Sequence, residues 1–113
     1  MFAISKHISL KEATRSNTAE RLDIDNFPDS ATLANMQALA ENVFEPLRSH
    51  ADNPIYITSF YRSPELNKLI GGSSKSQHCL GQAIDLDDVL GGITNKEIFD
   101  YIRYNLEFDK LIW

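Results

Sequence analysis

The stretch Ser76-Gln77-His78-Cys79-Leu80-Gly81-Gln82-Ala83-Ile84-Asp85 sets an imidazole and a carboxylate seven positions apart with a glycine between them. A helix brings two side chains together at a spacing of about three or four, so this pair must meet another way. Ala83 to Asp87 alternates apolar and polar as a half-buried strand does, which turns Asp85 to the face opposite Ile84 and Leu86. Gly81 lets the preceding loop turn back. Folded so, His78 from a loop and Asp85 from a strand converge as a candidate pair of zinc ligands. A catalytic zinc takes about three protein ligands and leaves one position for water. The remaining candidates are His7, His50, Cys79 and several carboxylates, none at a convincing spacing; both histidines lie far upstream, in segments that read as helix or helix end. On these residues alone two alternatives stay open. One is ordinary polar chemistry around a loop histidine, and the other is a free reactive thiol at Cys79.

A chain of 113 residues, 42% of them hydrophobic, is expected to form one domain over residues 1–113 with a single modest core. Its net charge of -5 and the lack of any Lys/Arg stripe argue against a nucleic-acid partner, which would need phosphates neutralised. One cysteine excludes an internal disulfide framework. Met1 to Leu10 holds no apolar run of signal-peptide length, and nowhere do about 18 apolar residues follow one another, so no membrane span and a cytoplasmic location as synthesised are expected.

Local signals divide the chain. Ser9-Leu10-Lys11-Glu12 has the form of a capping box and predicts a short helix, and Ser16 to Glu20 predicts a second helical turn. Asp23 to Pro28 is turn-rich. Leu33, Met36, Ala40, Val43, Phe44 and Leu47 then recur at helical spacing behind a cap at Asp29 or Ser30, with Pro46 expected to bend or end the last turn. This stripe reads as core. Ile55 to Tyr61 is β-branched and aromatic and predicts a strand that delivers Arg62 at its end. Ser63-Pro64-Glu65 opens a helix that Gly71-Gly72 closes, and a polar loop from Ser73 to Gln77 follows. After the Gly91-Gly92 turn, Thr94-Asn95-Lys96-Glu97 is a second capping box for a helix carrying Ile98, Ile102 and Leu106, and Phe108 to Trp113 predicts a last strand.

The set Thr58-Ser59-Phe60-Tyr61-Arg62-Ser63-Pro64, Asn67, Gly71-Gly72, Ser76, His78, Gly81, Ala83 and Asp85 resembles the M15 family of zinc D-Ala-D-Ala peptidases, whose metal motif is S-x-H-x-x-G-x-A-x-D. Residues 2–26 and the helix ending Phe44-Glu45-Pro46-Leu47-Arg48 are similar to the N-terminal region of the subgroup found in phage and bacterial proteins, so the likeness covers nearly the whole chain. It implies an α+β fold of the hedgehog and DD-peptidase kind, with N-terminal helices packed on a small antiparallel sheet and the zinc cleft on its exposed face. It further implies that His78 and Asp85 bind zinc, that Arg62 contacts the scissile carbonyl or its developing oxyanion, and that Ser76 helps hold substrate. Asn67 and Gly71-Gly72 are expected to shape the loop.

The family's third zinc ligand is a histidine in a late W-x-H strand, accompanied by an acidic general base, and neither is identified here. No histidine follows His78, the sequence stops at Leu111-Ile112-Trp113, and Glu107 and Asp109 read as solvated charges. The expectation is a chain cut short before its final strand, or one that has lost catalysis, and in either case inactive alone. The function implied is zinc-dependent hydrolysis of D-Ala-D-Ala or related bonds in peptidoglycan stem peptides, acting at the cell wall if the chain is a phage-type lysin. From a different class comes a non-catalytic, zinc-stabilised module that binds peptidoglycan or a protein. A third version has no metal, with His78 a plain loop residue and Cys79 a weak rival ligand. Oligomeric state is open.

Overall fold

The structure, a computed structural model, describes residues 3–72 and 76–106. Its helices start where side-chain oxygens can take up orphan backbone donors. Ser9 accepts from the Glu12 N–H at 3.0 Å and opens α1 (Leu10–Ala13), and Ser16 accepts from Ala19 and opens α2 (Asn17–Arg21). Asp29, rather than Ser30, accepts from Thr32 at 2.8 Å and opens α3 (Ser30–Leu39). A π-helical stretch (Ala40–Phe44) carries α3 directly into α4 (Glu45–Ala51).

This last feature bears on the expectation for Pro46, which does not end the helix. In a plain α-helix the missing proline N–H would leave a carbonyl one turn back without its donor. Here the Glu45 N–H reaches back five residues to the Ala40 carbonyl, and Pro46 falls in the first turn of α4, where a missing donor costs least. The helix runs on to Ala51 and stops at Asp52, which takes a left-handed conformation (φ 52°).

The stripe faces the core: Met36, Ala40, Val43, Phe44 and Leu47 are buried and Leu33 packs against them. Ile57 on β3 (Tyr56–Ser59) and Phe60 just beyond it join this core, as do Ile98 and Ile102 from α6 (Asn95–Asn105), whose Thr94–Glu97 capping box is fully formed. α5 (Pro64–Leu69) has Ser63 as its cap and Pro64 in its first turn, and Gly71 beyond it takes φ +78°. β4 (Asp85–Asp87) completes the set.

The class is α+β as expected, but the strands among the described residues form two antiparallel pairs. β3 pairs with β4, and β1 (Ala3–Ser5) pairs with β2 (Ile8–Ser9). That N-terminal hairpin places His7 in a β-turn and not in a helix. No alternating pattern announces it, because its strands are two and three residues long. The predicted strand over Ile55–Tyr61 shrinks to four residues and that over Ala83–Asp87 to three; the backbone beyond Ser59 leaves the ladder for other partners described below. Phe108 to Trp113, with Glu107, lies outside the described residues.

Glu45 ties the hairpin to α4. Its Oε2 accepts from the Ser5 hydroxyl and from the His7 N–H at 3.0 Å, and its Oε1 lies 2.5 Å from His7 Nδ1. Burial pushes the Glu45 carboxyl up, but the bonds from Ser5 and His7 outweigh it and hold the group below its ordinary 4.5. The unfolded chain therefore takes up this proton first as pH falls. The clamp contributes fully above pH 4.5 and is lost as pH drops through the lower folded value. Glu45→Gln is expected to cost about 1 kcal/mol at neutral pH. It is also expected to flatten the acid limb of a stability curve followed by urea unfolding; an acid limb of unchanged slope would take Glu45 out of this role.

Candidate active site

Asp85 reaches the site through a change of register. Tyr56 stands opposite Asp87, Ile57 opposite Leu86 and Ser59 opposite Asp85, so Thr58 is an extra residue on β3. A bulge of this kind bends the strand and re-aims what lies beyond it. Asp85 thereby lies one residue nearer to Phe60 than a regular ladder would put it.

His78 arrives from the other side on a single 3-10 turn (Gln77–Leu80), not on an open loop. The Ser76 hydroxyl caps the turn by accepting the His78 N–H at 3.3 Å, and Gly81 ends it in the left-handed region. The imidazole is buried, and its Nδ1 lies 2.8 Å from the Phe60 carbonyl oxygen. A carbonyl only accepts, so Nδ1 carries the proton and the neutral ring keeps its lone pair on Nε2.

That lone pair lies 3.3 Å from Asp85 Oδ2. Two acceptors facing each other need a cation between them, either a second ring proton or a metal. Tetrahedral ligands at about 2.0–2.2 Å from zinc stand roughly 3.3–3.5 Å apart, so this separation and donor set fit the metal. The side-chain hydrogen bond with His78 lowers the Asp85 carboxyl below its usual range against the opposing effect of burial, and the electrostatic pull of His78 and Arg62 adds to it. With its side chain 57% exposed, Asp85 forms the open wall of the pair.

Arg62 follows β3 and sits beside them. Its main-chain N–H donates to the His78 carbonyl at 3.3 Å, and its Nη2 stands 3.5 Å from Ser76 Oγ, a weak contact. Its Nε is buried without an acceptor among the described residues. The guanidinium thus keeps donors in reserve. Ser76 already caps the turn and meets Arg62, and it also lines a cavity of about 710 Å3 together with Pro64, Asn67, Lys68, Gly72, Cys79 and Leu80.

The other candidate ligands do not gather here. His7 is held by Glu45, and the His50 ring stacks on Tyr101 with centroids 4.2 Å apart. Cys79 is half-buried and faces the cavity. Among the described residues no third His, Cys, Asp or Glu joins His78 and Asp85. Nor is any described helix long and apolar enough to cross a membrane.

A family model described as Peptidase M15 matches residues 6–110. The chain belongs to the Peptidase M15 family. Searches of curated proteins and of solved structures gave no match. As an M15 chain it is a peptidase by family, with a peptide as the expected class of substrate.

Two contributors to this M15 site escape sequence reasoning. The Phe60 carbonyl that orients His78 is main chain and leaves no mark in residue identity. Asn26 lies in the turn-rich Asp23–Pro28 segment, yet its amide bonds reach the residues around Arg62.

Proposed function

We propose that this chain is a zinc-dependent peptidase that hydrolyses D-Ala-D-Ala or related bonds of peptidoglycan stem peptides. The observation that carries this reading is the 3.3 Å approach of His78 Nε2 to Asp85 Oδ2, with His78 Nδ1 already committed to the Phe60 carbonyl. His78 and Asp85 would hold the zinc. Zinc, when bound, would supply a Lewis acid and lower the pKa of water.

The remaining work falls to the chain's own groups. Arg62 presents guanidinium donors to the scissile carbonyl, where negative charge builds as the carbon becomes tetrahedral. The Phe60 carbonyl keeps the His78 ring from turning away. Pro64 and Leu80 give the neighbouring cavity apolar walls, and the exposed Lys68 supplies positive charge for a peptide carboxylate.

The test is metal analysis of the purified chain beside His78→Ala and Asp85→Ala, with turnover of a D-Ala-D-Ala-terminated peptide followed before and after chelation. About one zinc per chain is expected, lost in both variants; turnover, which needs a third ligand and a general base beside His78 and Asp85, is expected to stop on chelation and return with zinc wherever those groups complete the site. A folded wild type that takes up no zinc would overturn the reading.

A second reading is a module that binds the stem peptide without cleaving it. It is favoured by the convergence of two donors, not three, among the described residues. Peptide binding without turnover by the zinc-loaded chain would select it.

A further inference from the structure

An asparagine in a turn ordinarily bonds its own neighbourhood. Asn26 does otherwise: its three long-range bonds reach 12, 35 and 37 residues along the chain. Nδ2 donates to the Thr14 carbonyl at 2.9 Å and to the Tyr61 carbonyl at 3.3 Å, while Oδ1 accepts the Ser63 N–H at 2.7 Å. The last two partners flank Arg62 on either side.

The segment Phe60–Ser63 has left the β3–β4 ladder, so its polar groups need other partners. The Tyr61 N–H donates to the Ala13 carbonyl at 3.0 Å and the Arg62 N–H to the His78 carbonyl at 3.3 Å. The Phe60 carbonyl is taken by His78 Nδ1. Two side chains therefore hold this segment: His78 from one side and Asn26 from the other. The Asn26 amide holds the peptide groups on both sides of Arg62, next to the Phe60–Tyr61 peptide that Ala13 and His78 hold.

We infer that Asn26 is a positioning residue of the site, acting through the Tyr61–Ser63 backbone on Arg62 and, one residue further, on His78. The inference rests on the peptidase reading for its catalytic part, and on hydrogen-bond geometry alone for its structural part. Asn26 touches neither Arg62's guanidinium nor the His78 ring in any contact described above, so its effect must pass through the main chain.

The test combines Asn26→Ala, Arg62→Ala and the double variant with an NMR measurement on the metal-free chain. Asn26→Ala is expected to lower kcat/KM about 10- to 100-fold, mostly in kcat, the range seen when a group orienting a catalytic ligand is lost. In the Arg62→Ala background the same change is expected to cost less than about threefold, because the larger part of its effect, which passes through the guanidinium, is gone and only the smaller part through His78 remains. Additive losses would mean that Asn26 merely supports the fold and would overturn the inference. In the metal-free chain, the His78 Nδ1–H should exchange at least about tenfold faster in Asn26→Ala, with α6 amides unchanged. An unchanged ring proton would equally overturn it. Asn26→Asp, which keeps an acceptor for the Ser63 N–H but no donor, is expected to fall between wild type and Asn26→Ala, and it serves if the alanine variant does not fold. A wild type that hydrolyses nothing would count against the peptidase reading only, since the ring-proton measurement still decides the role of Asn26.

Discussion

Arg62→Ala is expected, on the peptidase reading proposed above, to lower kcat for a D-Ala-D-Ala-terminated peptide by about 100- to 1,000-fold while KM moves by less than about threefold. The expectation comes from what the guanidinium does not do in the resting site. Its Nε has no acceptor among the described residues, and its Nη2 makes only the 3.5 Å approach to Ser76. A donor held beside the His78–Asp85 pair without a strong acceptor among the described residues gains most when the carbonyl oxygen takes on charge, and such an interaction appears in kcat rather than in substrate binding. The stability consequence runs the other way. Removing a buried donor that lacks a strong acceptor gives up little hydrogen bonding, so the thermal midpoint of Arg62→Ala should stay within a few degrees of wild type. Arg62→Lys should not rescue turnover, since an ammonium on a flexible stem cannot reproduce the planar fork. A rise in KM with kcat unchanged would make Arg62 a substrate anchor instead, and unaltered kinetics would remove it from the chemistry.

What could be read from the sequence divides along the range of the interactions involved. Caps are local: Ser9, Ser16, Asp29, Ser63 and Thr94 each bond a backbone N–H three residues on, and each was marked by residue type and offset. The Met36–Leu47 stripe was legible because burial leaves a period in composition. That the helix continues past Pro46 is not legible, because the π-helical stretch that accommodates it depends on an i to i+5 bond from Glu45 to Ala40, which no local pattern encodes. The β1–β2 hairpin leaves no periodic signal because its strands are two and three residues long, and what anchors it, the burial of Ile4 and Ile8 in the core and the bonds to Glu45 some 40 positions away, depends on distant segments.

The same division runs through the site. His78 and Asp85 could be paired because a motif spaces them, and the structure puts their facing atoms 3.3 Å apart. The devices that aim them could not be read. The Thr58 bulge, the Phe60 carbonyl and the Asn26 amide act through main-chain geometry, which depends on how distant segments pack. Residues that carry chemistry leave a signature in the sequence, whereas those that hold the carriers in place do so through backbone atoms common to every residue.

Gly81→Ala is expected to be the most destabilising single change at the site, at about 2–5 kcal/mol, enough to lower the thermal midpoint of a domain this size by roughly 10–20 °C. Two costs meet there. Gly81 ends the His78 turn at φ +70°, where an L-residue pays about 1–2 kcal/mol because its Cβ crowds the following carbonyl. A Cβ at this position would also lie 2.6 Å from Met36 Cγ and 2.6 Å from the Thr32 carbonyl oxygen. The methionine can shift its side chain, but the carbonyl belongs to the backbone of α3 and cannot. The turn must instead lift off α3, breaking the 2.9 Å bond from Asn35 Nδ2 to the Leu80 carbonyl and drawing His78 away from Asp85. Gly71→Ala supplies the control, since Gly71 shares the positive φ (+78°) but a Cβ there meets nothing within 4 Å. It should show the conformational cost alone, about 1–2 kcal/mol. The excess of Gly81→Ala over Gly71→Ala then measures how tightly the His78 turn is seated on α3, and on the zinc reading proposed above it should be accompanied by weakened zinc uptake. Equal losses at the two glycines would mean that the turn rests on α3 without being positioned by it.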